Sequence, residues 1–430
     1  MKNLFILLLF GGILTLQSQT ETMASPMILE AGQPADGGMS LERLGRIDGM
    51  LREAVEAGQI PGGVALIARN GKIVYHKAFG AADAQRGTPF NKDGIFRIAS
   101  QSKAITATAV LMLWEEGRFR LDDPISDFIP AFKDTGVLET FNEADSSFTT
   151  SPLEKPITIR HLLTHTSGIG YGKIDGDERF RKIYAKAGII DLFTTEPHTL
   201  GVNIPKLAGM PLHHHPGEKW TYSEGLDVLG YFIEVVSGMP FDQFLKTRVF
   251  DPLGMKDTWF YLPDPLHDRL VPVQTSDTDG TWKRFTAEFY DVNYPITGSR
   301  SFFSGGAGLS SSAKDYATFL QMWLNKGAYN NVRILSRTTV EMALSNQIGD
   351  LWEGGPKDFG LPFSIVNADG VAQGGIGGLG TFDWGGYFNT QYFADPGEQL
   401  IGILMKQTQG AQEDETGWKF RQLVFAAIDD

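Results

Sequence analysis

The chain has 430 residues, 42% of them hydrophobic and 21% charged, with a formal net charge of −13. That is globular composition with length enough for a sizeable core, and the acidic balance argues against nucleic acid and anionic membrane surfaces as partners. With no cysteine in the chain, disulfides, thiolate nucleophiles, zinc–thiolate sites and acylation at a cysteine are excluded.

The first residues, "MKNLFILLLFGGILTLQSQTETMAS", place one lysine before an apolar run and then turn small and polar. This is the pattern of a cleaved secretory signal, expected over residues 1–24, too short to be read as a membrane span. It predicts a periplasmic or secreted protein with no membrane span after cleavage. Residues 25–39 are rich in Pro and Gly and are expected to be a flexible lead-in to a domain over 40–430.

From Ser40, apolar residues at Leu41, Leu44, Ile47, Met50, Leu51, Ala54 and Val55 follow a helical period that stops at Gly58. "GGVALIARNGKIVYHKAFG" then gives two β-rich runs joined by Asn70-Gly71, a strong hairpin signal. A third β segment, "GIFRIAS", leads into a helix expected to begin near Ser100 and to end at Gly117. Residues from about 120 to 310 read as helix and loop, including "TIRHLLTHTSGIG" and "GLDVLGYFIEVVSG" as buried helices ending in glycines and "NEADSSFTTS" as a surface insertion. Strand patterns return after about residue 358 in "DFGLPFSIVNA", "GTFDWGGYFNTQYFADP" and "QLIGILMKQT", and an amphipathic stretch closes the chain. Strands at both ends with helices between predict an α+β fold: one antiparallel sheet built from N- and C-terminal segments, flanked by helices, with a mostly helical central lobe. The cleft between the two parts is the default place for a site.

Ser100-Gln101-Ser102-Lys103 is the first candidate for chemistry. On a helix, positions i and i+3 share a face, so Ser100 and Lys103 come within reach of each other, whereas Ser102 faces away. A hydroxyl needs a base to become a nucleophile, a desolvated lysine can serve, and the helix N-terminus favours developing negative charge. A helix cap beside a solvated lysine would look the same, so other stretches must decide. "PGEKWTYSEGLDVLGYFIE" puts Tyr222 in a polar loop at a helix entrance, and "FDWGGYFNTQYFADPG" puts Trp384-Gly385-Gly386 in a strand, where glycines let another backbone or a ligand approach closely.

With these motifs, and with "PGGVALIARNGKIVYHKAFG", "RHLLTHTSGI", "DPLGMKDTWF" and "GGAGLSSSAKDYATF" in the same order, the sequence resembles the serine β-lactamase and penicillin-binding-protein superfamily, at its class C and family VIII carboxylesterase end. The resemblance implies Ser100 as nucleophile, Lys103 as its paired base and Tyr222 as the tyrosine of the Y-x-N element. Which of Lys103 and Tyr222 takes the proton first stays open. It also implies an oxyanion hole from the backbone N–H groups of Ser100 and Tyr387, and a substrate-binding strand at Trp384, Gly385 and Gly386, where lactamases have K-T-G. Two positions depart from the lactamase pattern: Glu224 replaces the Y-x-N asparagine, and Trp384 replaces the K-T-G lysine. If both face the pocket, a lactam carboxylate meets a like charge and an apolar ring, which favours small ester or amide substrates. The expected enzyme is thus an exported serine hydrolase of carboxylesterase type that needs no cofactor. Its rivals are a β-lactamase, a D-amino-acid peptidase acting on cell-wall-type peptides, an acyltransferase, and a penicillin-binding sensor that does not turn over.

His213-His214-His215 cannot all face one point in regular structure, so a loop at the cleft rim is expected rather than a metal site. His165 is expected to satisfy a buried turn. Trp220, Tyr222, Trp384, Tyr387 and Phe388 either line an acyl pocket or fill the core.

Overall fold

The structure, a computed structural model, describes residues 27–430 apart from 353–354 and 411–412; the expected signal segment lies outside the described residues. The predicted α+β architecture is present. A nine-stranded sheet forms from both ends of the chain. Its N-terminal strands are β1 (Glu30–Ala31), β2 (Gly62–Arg69) and β3 (Lys72–Asp83), with the short strand Thr88–Pro89 on β3. Its C-terminal strands are β4 (Lys357–Phe359), β5 (Ser364–Val366), β6 (Phe382–Gly386), β7 (Thr390–Asp395) and β8 (Leu400–Met405). The order across the sheet is β1-β3-β2-β8-β7-β6-β5-β4. β8 beside β2 joins the two ends of the chain, with Leu404 opposite Ala65.

Asn70 and Gly71 adopt φ of 53° and 75° between β2 and β3. This left-handed pair is what the Asn-Gly signal specifies, since its twist matches that of the flanking strands.

Every residue of β2 is buried, so both of its faces are covered. Ala65 and Ile67 pack with Leu44, Ile47 and Leu51 of α1 (Leu41–Glu56) and with Phe420 and Val424 near the C-terminus. Val64, Leu66 and Ala68 point the other way, into the main core. That core also holds α2 (Ser102–Glu115), α3 (Gly225–Ser237) and α4 (Ala313–Leu324). The period-two alternation of one strand therefore divides the terminal helices, α1 and α5 (Thr416–Ala426), from the central lobe. Burying a side chain such as Leu66 or Ile67 contributes about 1.5–3 kcal/mol.

Some expectations need correction. The lead-in is structured from residue 27 onward. β1 pairs in parallel with β3, so the sheet is not purely antiparallel, and Met39 is buried and bridges to Ile428. Its Pro and Gly serve a turn, not flexibility: Pro34 opens a short helical turn and Gly38, at φ 64°, closes it. The segment Ile95–Arg97 is not in the main sheet but forms a ribbon with Ser310–Ser312. The helix in "TIRHLLTHTSGIG" covers only Ile159–Leu163, well short of Gly168, because His165 takes φ 57° and breaks it. The insertion "NEADSSFTTS" is the tip and second strand of a hairpin, Gly136–Phe141 with Phe148–Pro152. Among the described residues no helix is long and apolar enough to cross a membrane.

Candidate active site

Ser100 sits in a single turn of tighter helix, Ala99–Gln101, that feeds into α2 at Ser102. Ala99 holds φ at 43°, a region that costs an L-residue roughly 1–2 kcal/mol. The turn is held from several sides. Ile98 N–H donates to the Leu309 carbonyl at 3.0 Å, Arg97 N–H donates to Gln407 Oε1 at 2.8 Å, and the Tyr316 hydroxyl donates to the Gln101 carbonyl at 3.1 Å. The kink leaves Ser100 half-buried at the wall of a cavity of about 530 Å³.

Two side chains, one local and one from a distant loop, converge on Ser100 Oγ. The Tyr222 hydroxyl donates to it at 2.7 Å and the Lys103 ammonium nitrogen at 3.4 Å. Lys103 is 2% exposed and also donates to the Tyr171 hydroxyl at 2.9 Å and to the Gly306 carbonyl at 2.8 Å. Three acceptors around one Nζ match the three donors of a lysine ammonium. Nζ lies 4.6 Å from the centre of the Tyr222 ring, so the charge also faces a π surface. Ser102, by contrast, is fully buried, and its Oγ accepts the Leu309 N–H at 3.1 Å.

β6 forms the opposite wall. Trp384, Gly385, Gly386 and Tyr387 all line the cavity with Ser100 and Tyr222. A Cβ at Gly386 would overlap the Ile98 carbonyl and the Thr390 hydroxyl, so only glycine lets β6 approach the Ser100 turn this closely. That approach puts Tyr387 and Ser100 on one cavity. The Trp384 ring lies 5.9 Å from Tyr222 and 5.7 Å from Phe359. Trp220 packs behind Tyr222 at 6.0 Å and against Trp352 at 5.5 Å, while Phe388 is core, stacked on Phe193.

Glu224 is misplaced by the sequence reading. It is fully buried, does not line the cavity, and neither carboxyl oxygen finds a hydrogen-bond partner among the described residues. Its backbone N–H donates to the Gly170 carbonyl at 3.2 Å, which turns the residue inward at the start of α3. Burial, with Asp191 and Asp227 nearby, pushes its pKa well above the usual carboxyl range. Both its position away from the cavity lining and this shift toward the protonated form set it apart from a pocket-facing carboxylate.

Two residues of the site escaped the sequence reading. Tyr171 is buried and bonded to Lys103; burial, with Tyr222 and Asp227 adding to it, raises its pKa well above the ordinary phenol value, so it stays protonated. Asp227 is buried beneath and accepts the Gly306 N–H at 3.3 Å, tying down the loop whose carbonyl holds Lys103. The glycine-rich "SGIGYG" around Tyr171 and the lone acid in the apolar "GLDVLG" were the available signals.

The three histidines diverge. His213 meets Asp175 at 3.0 Å, His214 bonds Thr221 and the His215 carbonyl, and His215 lies near Glu154. His165 is fully buried, with Nδ1 at 2.9 Å from the Ser223 hydroxyl.

The beta-lactamase family profile matches residues 47–426. The chain belongs to the beta-lactamase family. It is 33% identical to esterase EstB of Burkholderia gladioli over 381 residues, covering 84% of this chain and 90% of that protein. It is 29% identical to a lovastatin esterase of Penicillium rubens, over 83% of this chain and 91% of that one. Among solved structures, EstCE1, described as a hydrolase with promiscuous acyltransferase activity, superposes with a TM-score of 0.75 at 26% identity, covering 90% of this chain and 98% of that one. Within the family this chain is a serine hydrolase of the carboxylesterase-like type.

Proposed function

We infer that the protein is an exported esterase that works through an acyl-enzyme on Ser100. The observation that carries this is the convergence of Tyr222, at 2.7 Å, and Lys103, at 3.4 Å, on Ser100 Oγ at the wall of one cavity. The Tyr222–Lys103 pair reacts in the form that carries one proton fewer than a hydroxyl and an ammonium together, so as Ser100 Oγ attacks the ester carbonyl its proton passes to the pair, which takes it up as a unit. Tyr222 has the shorter contact and so exchanges the proton directly. Lys103, anchored by Tyr171 and Gly306, holds its charge against Tyr222. The pair returns the proton to the departing alkoxide, and water then adds to the acyl-enzyme by the same route in reverse. The backbone N–H groups of Ser100 and Tyr387 face the developing oxyanion, a contribution worth about 2.7–4 kcal/mol per donor. Export rests on the signal-like N-terminal sequence.

That geometry depends on the close approach of β6. Gly386→Ala should lower kcat/KM for a short p-nitrophenyl ester by about a hundredfold, the cost of an ångström-scale misplacement. Kinetics alongside a thermal melt check this, and unimpaired kinetics would detach the strand from the site.

Ester preference rests on Trp384 alone, since Glu224 is buried and does not line the pocket. An indole stands where lactamases place a cation, and an activated ester needs less help for its leaving group than a lactam nitrogen. The kcat/KM for a short neutral ester should exceed that for a chromogenic cephalosporin by at least about a hundredfold, or 2.7 kcal/mol. Comparable turnover of both would restore the lactamase alternative.

A further inference from the structure

The same cavity has a charged corner away from Ser100. Among the described residues, Lys357 on β4 and Asp383 on β6 are its only charged lining residues, and Ser364 on β5 lies between them in the sheet. Lys357 Nζ donates to both Asp383 oxygens, at 3.0 and 2.7 Å, and Arg421 of α5 donates to the same carboxylate. Two cations thus face one carboxylate. Burial opposes ionisation of Asp383, yet Arg421 and Lys357 hold its pKa below the usual range, so it remains an anion, and among the described residues these three groups leave one positive charge in surplus.

Spare donors accompany that charge. Ser364 is 1% exposed, lines the cavity, and its hydroxyl has no hydrogen-bond partner among the described residues. Nε and Nη2 of Arg421 are likewise buried without partners. A buried hydroxyl left unpaired costs about 1–3 kcal/mol, so such a group marks a place where a ligand acceptor would be favoured. Asp383 stands opposite Ser364 across the β5–β6 ladder, but its carboxylate accepts from Lys357 and Arg421 and makes no hydrogen bond with the Ser364 hydroxyl.

We propose that Lys357 and the Ser364 hydroxyl form a subsite for a carboxylate carried by the substrate, so that the preferred esters are those of dicarboxylic or hydroxycarboxylic acids. This rests on the ester-hydrolase reading above and names the substrate class for it. The lysine that lactamases use for a carboxylate stands on the β6 position now taken by Trp384. Here the cation comes instead from β4, two strands further out.

The experiment compares matched esters that differ only in charge. On the acyl side, p-nitrophenyl hemiesters of dicarboxylic acids of increasing length are set against p-nitrophenyl alkanoates of equal length. On the alcohol side, 4-acetoxybenzoate is set against its methyl ester. In at least one arm the anionic ester should have the higher kcat/KM, and the arm that responds tells which side of the ester reaches Lys357. Lys357→Met should cut that anionic-to-neutral ratio about tenfold or more, the worth of a hydrogen bond to a charged group, with Lys357→Arg retaining most of it. Should Lys357→Met fail to fold, the parent protein still decides: free dicarboxylates should inhibit neutral-ester hydrolysis about tenfold better than the corresponding diamides. A ratio that ignores Lys357, or equal inhibition by acid and amide, overturns the subsite while neutral-ester turnover dependent on Ser100 stands. Loss of that Ser100 dependence would instead overturn the esterase reading.

Discussion

Ser100→Ala should abolish ester turnover, lowering kcat by about four orders of magnitude or more, as removal of an acyl-enzyme nucleophile does. The fold should persist. Ser100 is half-buried, and among the described residues its side chain bonds only to Tyr222 and Lys103, both parts of the same machinery. Ser102 gives the opposite pattern. Its buried hydroxyl accepts the Leu309 N–H, so Ser102→Ala leaves that donor unsatisfied and should cost about 1–3 kcal/mol of stability while sparing chemistry. Denaturation midpoints and p-nitrophenyl acetate kinetics on both variants separate the two serines. Substantial activity in Ser100→Ala would move the nucleophile elsewhere.

Lys103→Ala and Tyr222→Phe should each lower kcat by about a hundredfold or more, the usual worth of positioned acid–base groups. The double variant should lose far less than the product of the two, since one proton is shared by a pair that acts as a unit. Tyr222→Phe is the cleaner probe, because the ring stays against Trp384 and only the oxygen 2.7 Å from Ser100 is removed. Lys103→Ala also strands the Tyr171 hydroxyl and the Gly306 carbonyl, so its melting point should fall as well. Effects that multiply fully would contradict a shared proton.

The contrast between Ser100 and Glu224 shows how far the sequence could be read. Ser100 and Lys103 were legible because a helix fixes the i,i+3 relation locally, and the β2–β3 turn because Asn-Gly has a specific backbone requirement. Gly385 and Gly386 were legible as sites of close approach, and the structure supplies the Ile98 carbonyl that Gly386 approaches. Glu224 sits two residues from Tyr222, and that spacing alone suggests a shared pocket. Its direction is set instead by a long-range backbone bond to Gly170 at a helix start. Tyr171 reaches Lys103 across 68 residues of sequence, and no local pattern announces such a contact. Lys357 enters the cavity only because β4 is two strands from β6, which is a fact of sheet order, not of spacing. The structured lead-in was missed because Pro and Gly mark fixed turns as readily as flexible segments.

The central claim is an acyl-enzyme on Ser100, and covalent labelling tests it most directly. The protein is treated with a p-nitrophenyl phosphonate, digested with trypsin and analysed by fragment-ion mass spectrometry. Ser100 and Ser102 fall in one tryptic peptide, residues 98–103, so the fragment ions must separate them. The expected result is a single adduct on Ser100, formed in step with loss of esterase activity and absent from Ser100→Ala. An adduct on Ser102, or full inactivation with residues 98–103 unmodified, would contradict the account.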